Sequence, residues 1–294
     1  MRPTISVVTP SYNQGRFIER TIRSVLSQKW PGLEYVVFDG GSSDETVSVL
    51  KRYAGSLRWT SQKDNGQADA VNRGLRATSG EIIGWLNSDD VYYPGAFEAV
   101  AAIFGANPSV DVVYGGANHI DESDGVIEPY PTEPWNLERL YETCFICQPA
   151  VFFRRSVMER WGVLDESLHY CMDYEYWLRL GLGGAQFMFA PQVLAGSRFY
   201  AATKTLGARV KVHAEINSML RDRLGKTPAR WLFNYAHVLA DSFGIRRTSR
   251  VLHVCAIAAL SIYAALRWNR SLSSNMAQVL RRDMHHALRS VWSK

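Results

Sequence analysis

A chain of 294 residues with 47% apolar and 21% charged residues can bury a large core, which excludes a disordered or collagen-like protein. Four cysteines exclude a disulfide scaffold, and Met1-Arg2-Pro3-Thr4 runs into the strand-like ISVVTP without an apolar leader core, so a cytosol-facing protein is expected. The net charge of +5 is unevenly held: residues 1–200 carry −7 and residues 201–294 carry +12, an acidic body with a basic tail suited to an anionic surface.

In chain order, residues 5–9 are a β-branched run that ends in the turn chemistry of Pro10-Ser11-Tyr12-Asn13-Gln14-Gly15. Phe17, Ile18, Ile22, Val25 and Leu26 recur at helical spacing, predicting a helix over 17–28. Residues 35–38 predict a second strand, with Ser43 or Asp44 capping a helix over 46–53. The pattern then predicts a helix over 68–77, a strand over 82–86, a helix over 94–104 and a strand over 110–114. Residues 115–148 are loop-rich with a helix over 135–141. A strand over 150–153, helices over 156–161 and 174–182, a strand over 193–200 and helix after about 205 complete the chain. Apolar strands separated by amphipathic helices predict an α/β fold, a parallel sheet covered on both faces.

Ligands of such sheets bind beyond the carboxyl ends of the strands. Three of these ends carry polar residues: Tyr12-Asn13, Asp39, and Asn87-Ser88-Asp89-Asp90. Adjacent carboxylates repel unless a cation sits between them, and an oxygen-only set points to Mg²⁺ or Mn²⁺ shared with substrate phosphates. The plainer alternative is that Asp89-Asp90 merely opens the next helix. Cys144 and Cys147 form a lone CxxC without a second pair and read as buried thiols. Gly40-Gly41-Ser42-Ser43 lacks the phosphate-loop pattern. Tyr170, Tyr174, Tyr176 and Trp177 could stack on a sugar ring or pack the core.

The stretches ISVVTPSYNQGRFIERTIRSVLSQ, YVVFDGGSSDET, DNGQADAVNRGLRATSGEIIGWLNSDDVYYPGAF, QPAVFFRR and LDESLHYCMDYEYWLRL, over residues 4–205, resemble the family-2 inverting glycosyltransferases of GT-A fold. The resemblance implies a Rossmann-like, mostly parallel sheet flanked by helices, with a C-terminal helical extension. It divides the chain into a nucleotide-sugar half (1–115), an acceptor half (116–204) and a basic helical region (205–294). It implies sugar transfer from a UDP- or dTDP-sugar to a hydroxyl of a saccharide or lipid-linked saccharide. By position it places Pro10, Tyr12, Asn13, Asp39 and Asp64 around the nucleotide base, and Asn72 and Gly74 along the donor site. Asp89 and Asp90 fall on the ribose and on the metal bound to the diphosphate, the metal being Mn²⁺ or Mg²⁺. Asp173 falls on the catalytic base, the alternative being a helix cap. Arg198 and Lys204 flank a loop and either contact the diphosphate or stay solvated.

Four positions depart from the family pattern: Asn87 for an Asp of the metal motif, Gly40 for a second Asp, Met172 for a Glu, and Tyr200 where a His is frequent. The first two keep open a catalytically silent sugar-binding module. A nucleic-acid binder is disfavoured because the basic charge lies apart from the motifs and no recognition motif accompanies it. In the tail, residues 251–266 are mostly apolar between Arg246, Arg247, Arg250 and Arg267, Arg270. Too short to span a bilayer and flanked by positive charge on both sides, the run is expected to lie in the membrane interface or pack as a buried helix. Together these place the protein in the cytoplasm, peripheral on the inner membrane.

Overall fold

The computed structural model describes residues 2–200, 203, 207–245, 250–274 and 276–282, without the side chains of 250 and 251. It divides into an α/β unit, Met1–Leu140 with Cys144–Tyr200, and a helical unit, Tyr141–Thr143 with Ala201–Lys294. The expected division between residues 115 and 116 falls inside a single strand of the α/β unit, Val112–Ile120.

Four strands and three helices in alternation build the first half of the α/β unit: β1 (Ile5–Ser11), α1 (Gly15–Leu26), β2 (Leu33–Asp39), α2 (Thr46–Arg52), β3 (Arg58–Ser61), α3 (Gln67–Arg76) and β4 (Ile82–Trp85). β1 and β4 are buried along their whole length, as an unbroken apolar run must be when helices cover both faces. Gly74 lets α3 approach the sheet: a Cβ there would stand 2.2 Å from Val8 Cγ1. The second half comprises β5 (Val91–Tyr92), α4 (Ala96–Ala106), β6 (Val112–Ile120), β7 (Val126–Pro129), α5 (Leu137–Glu142), a 3₁₀ turn (Gln148–Ala150), β8 (Val151–Arg154), α6 (Ser156–Trp161), α7 (Met172–Leu182) and β9 (Phe187–Arg198).

The strands form one sheet in the order β3-β2-β1-β4-β8-β6-β9-β5, with β7 on β6. The parallel sheet expected from the sequence holds for β3, β2, β1 and β4. Beyond β4 the sheet is mixed: β8 pairs antiparallel to β4 and β6, β5 to β9 and β7 to β6, while β6 and β9 run parallel. The core is packed from both halves, with Ile5, Val7, Ile18, Ile22, Phe97 and Phe152 in one cluster.

The helical unit holds α8 (Arg209–Leu224), α9 (Ala229–Ser242) and α10 (Arg250–Asn269). α10 is longer than the expected apolar run, and Leu252–Asn269 is long and apolar enough to cross a membrane by length and composition. Only one face of it is buried: Ala258, Ala264, Ala265 and Trp268 pack against Leu232 and Tyr235 of α9. Arg246, Arg247 and Lys204 lie outside the described residues.

Candidate functional site

The loops after β1 and β2 are stitched together. Asn13 adopts the left-handed conformation at φ 52°, which a short polar side chain tolerates. Its backbone N–H donates to Ser42 Oγ (2.7 Å), and Ser43 N–H donates to Asn13 Oδ1 (2.9 Å). Pro10 is buried, while the Tyr12 ring is 63% exposed at the mouth of this seam. Asp39 is buried, and its Oδ2 accepts from Gly41 N–H, Ser42 N–H and Ser61 Oγ. Oδ1 accepts from Ser42 Oγ alone, leaving one lone pair. Asp64 Oδ1 accepts from Gly66 N–H. A Cβ at position 40 would meet Asp64 Oδ2 at 2.8 Å, so Asp64 fills the space where a second Asp beside Asp39 would have to stand.

At the end of β4, Asp90 is 4% exposed. Its Oδ1 accepts from Arg198 N–H (2.8 Å) and its Oδ2 from Asn87 Nδ2 (3.3 Å). Burial first, and then the charge of Asp89, hold the Asp90 carboxyl well above the usual carboxylate range. Asp89 is less buried and accepts from the Tyr200 hydroxyl at 3.1 Å; Gln14 Nε2 donates to that hydroxyl in turn. Tyr200, standing where a His is frequent, therefore reaches the same carboxylate. Sequence reasoning missed the network around Asn87. Its Oδ1 accepts from Gln67 Nε2 (2.8 Å) and Trp85 Nε1 (3.0 Å), and its Nδ2 donates to Gln148 Oε1 (2.8 Å) as well as to Asp90. An Asp at 87 would have no hydrogen to give Gln148 or Asp90. Gln148 lies in the QPAVFFRR stretch, the one signal in the sequence that pointed to it.

Asp173 lies in the first turn of α7, one residue inside its start, and the N-cap position belongs to Cys171. The helix-cap alternative is thus corrected: the Asp173 carboxylate accepts its own neighbour's N–H, from Tyr174 (2.8 Å). A carboxylate in the first helical turn is favoured by the helix dipole. The Cys147 thiol is buried and pushed far up by burial, with the charges of Asp90, Cys144 and Asp173 adding to the effect. All four cysteines are free; of the pair expected to be buried, Cys147 is buried and Cys144 is half-buried. Tyr174, Tyr176 and Trp177 are core residues.

Three expected donor contacts are corrected. Asn72 is fully buried with its amide spent on the 164–166 segment: Nδ2 donates to Leu164 O and Glu166 Oε1, and Oδ1 accepts from Leu164 N–H. Gly74 is the close-approach residue of α3, facing Val8 rather than a cleft. The Arg198 side chain is fully buried and donates to Asp89 O, Asp121 O and Asp124 Oδ1, so it clamps the loop that carries the Asp pair and has no free nitrogen for a phosphate.

An α/β sheet that turns from parallel to mixed after β4, with carboxylates gathered at its strand ends, is the GT-A arrangement. Two solved structures share it. TarS 1-349 of S. aureus in complex with UDP-GlcNAc superposes with a TM-score of 0.62 at 17% identity, over 98% of this chain and 90% of that one. The mannosyltransferase PcManGT from Pyrobaculum calidifontis, in complex with GDP-Man and Mn²⁺, does so with a TM-score of 0.60 at 20% identity, over 98% and 81%. Residues 6–162, just over half of the chain, match the family described as Glycosyl transferase family 2, and the chain belongs to that family. An uncharacterized glycosyltransferase of Rickettsia felis is 30% identical over 214 residues, 68% of this chain and 35% of that protein. Chondroitin synthase of Escherichia coli is 30% identical over 184 residues, 60% of this chain and 26% of that protein. The chain spans about a third or less of the length of these two relatives.

Proposed function

We propose that the chain transfers a sugar, with inversion, from a UDP- or dTDP-sugar to a hydroxyl of a saccharide or lipid-linked saccharide. The observation that carries this reading is the hydrogen-bonded chain from Gln14 through the Tyr200 hydroxyl to Asp89, which ties the loop after β1 to the strand-end pair Asp89-Asp90. The nucleotide-sugars held by TarS and PcManGT support the donor class.

In this reading the exposed Tyr12 ring offers a stacking face to the nucleotide base, in the seam that Pro10, Asn13 and Asp64 shape. The open lone pair on Asp39 Oδ1 suits a pyrimidine imide N–H. Asp89, with Asp90 behind it, would hold a divalent cation. The fit rests on Asp90 itself: a buried carboxyl raised by a neighbouring carboxylate is relieved by a cation, and few protein oxygens plus substrate phosphates suit Mg²⁺ or Mn²⁺. Among the described residues no group of three or more His, Cys, Asp or Glu forms a closed metal cage, so the phosphates would complete the shell. When bound, the cation supplies Lewis-acid neutralisation of the leaving diphosphate. Asp173 accepts the proton of the acceptor hydroxyl as the new C–O bond forms on the face opposite the leaving group, which inverts the anomeric carbon.

The cytoplasmic, membrane-peripheral setting rests on α10. Leu252, Ala259, Ile262, Tyr263 and Leu266 recur at helical spacing on its exposed side, with Arg267 and Arg270 at its end. An apolar stripe edged with arginine suits an anionic lipid surface. In vesicle co-sedimentation, binding should require acidic lipid and fall as salt rises. Equal recovery with neutral and acidic vesicles, or none with either, defeats this setting.

The transferase is tested by nucleotide release from UDP-, dTDP- and GDP-sugars with Mn²⁺ or Mg²⁺, against an excess of EDTA. Acceptor-stimulated release of UDP or dTDP that EDTA abolishes is expected. Tight donor binding without release, with any acceptor saccharide, would leave the silent binding module.

A further inference from the structure

A cleft of about 530 Å³ lies within the helical unit, lined by Arg209 and His213 of α8, Asn234, His237 and Val238 of α9, and His253 of α10. The wall thus gathers three imidazoles, a guanidinium and an amide, and each polar group buried there needs a partner. His213 Nδ1 and His253 Nδ1 are buried and have no hydrogen-bond partner among the described residues. The rings of His237 and His253 stand 5.8 Å apart, and His213 lies 5.9 Å from the Trp231 ring.

Two ligand classes suit imidazole, metal ions and anions. Geometry disfavours the metal: among the described residues no three His, Cys, Asp or Glu stand close enough to hold one. The Arg209 guanidinium in the same wall would also repel a cation. Among the described residues no carboxylate lines the wall; Asp241 meets Arg209 at 3.5 Å with both side chains substantially exposed. Every lining polar group can donate a hydrogen bond, including a neutral imidazole through its N–H. We propose that this cleft binds a phosphate-bearing ligand, a phosphomonoester or diphosphate, through Arg209 and the three histidines. Charge-assisted bonds from guanidinium to phosphate are the strong ones, and a cleft of this size takes more than a bare orthophosphate. Burial and the charge of Arg209 hold His213 neutral, with a pKa of about 4, and the arriving anion supplies the missing negative charge. The ligand reaches the site from solution or as a lipid headgroup: His253 directly follows Leu252, the first residue of the exposed apolar stripe. The proposal stands apart from the transferase reading, since all of its residues belong to the helical unit.

The test follows the imidazoles of the full chain by long-range proton–nitrogen NMR, assigned through His213→Gln, His237→Gln and His253→Gln. The probes are sodium pyrophosphate, orthophosphate and dihexanoyl phosphatidate below its micelle concentration, with sodium chloride at matched ionic strength as the control. Saturable shifts of all three imidazoles with the phosphate probes, an upward move of the His213 titration, and affinity about tenfold weaker in Arg209→Gln are expected. Phosphatidate binding at least tenfold tighter than pyrophosphate assigns a lipid headgroup, and equal or weaker binding assigns a soluble phosphate; both support the site. Shifts no larger than those with chloride, an unchanged affinity in Arg209→Gln, or saturation by zinc chloride instead would overturn it. Binding of a probe at the α/β unit leaves these three resonances still, so failure here and failure of the transferase reading are told apart.

Discussion

Asp90 in the α/β unit and His213 in the helical unit are set in mirror-image circumstances. Asp90 is buried beside Asp89, and burial with that like charge raises its pKa; His213 is buried beside Arg209, and burial with that like charge lowers its own. Each group is thereby pushed toward its neutral form, and each would be relieved by a counterion of the opposite sign. The surroundings differ. Asp90 accepts two hydrogen bonds from its own unit, whereas His213 keeps a buried Nδ1 without a partner among the described residues. A carboxylate at a strand end is held ready by a fixed network, and the histidine cleft is left to be completed by what enters it. The charge balance of the chain follows the same division, acidic to residue 200 and basic beyond it.

The sharpest way to break this picture of the α/β unit is to remove the proton acceptor. Asp173→Asn is close to isosteric and keeps the oxygen that accepts the Tyr174 N–H, so the fold should survive. Turnover should fall about 10²–10⁴-fold, or roughly 3–5 kcal/mol in the barrier, while nucleotide affinity and Tm barely change. A variant retaining more than about a tenth of wild-type turnover would place the base elsewhere. Next in size is the effect of charge at Asp90. With excess EDTA, nucleotide affinity measured by calorimetry should drop at least about tenfold, near 1.4 kcal/mol. Asp90→Asn should lose the metal-dependent part of turnover; undiminished affinity in EDTA would remove the cation from the account.

Gly74→Ala probes the difference between lining a site and building one. Its new methyl would lie 2.2 Å from Val8 Cγ1, and overpacking of that kind costs about 1–3 kcal/mol. Tm should fall while the folded fraction binds nucleotide as before. Unchanged stability with weakened nucleotide binding would restore Gly74 to the donor site.

The fold class and strands β1, β2 and β4 were legible because buried parallel strands read as unbroken apolar runs, whereas β3, the half-exposed RWTS of residues 58–61, carried no such run. The reversal beyond β4 was not, since strand direction at β8 and β5 is set by which neighbour a short strand meets, and β5 is only two residues long. The opening of β9 was hidden by Pro191 and Gln192 within Phe187–Arg198. Asp89, Asp90 and Asp173 could be picked out by residue type and position. Asn87 could not be understood that way, because its partners Gln67, Trp85 and Gln148 come together only in the fold. Arg198 and Asn72 were misread for the same reason: a polar side chain looks alike in sequence whether it faces a ligand or clamps a loop. The three histidines of the cleft, scattered from position 213 to 253, carried no local signal at all.

The smallest effect sharpens the helical side of the comparison. Burial, and then the Arg209 charge, push the His213 imidazole down to about 4 from its ordinary value of 6.5. Between these two values the unfolded chain binds more protons than the folded one, so stability falls as pH falls from about 6.5 to about 4 and is level above that window. A shift of this size has a ceiling near 3 kcal/mol, and the partial exposure of the ring reduces it to about 1–2 kcal/mol. Hydrogen exchange of the α8 and α9 amides should therefore quicken between pH 6.5 and 4.5 after correction for the intrinsic rate. His213→Gln, which cannot take up a proton, should flatten that dependence, and saturating phosphate should flatten it too by stabilising the imidazolium. If the corrected exchange of these helices in the wild type is independent of pH across the window, His213 is not held neutral by its surroundings, and the mirror relation with Asp90 fails.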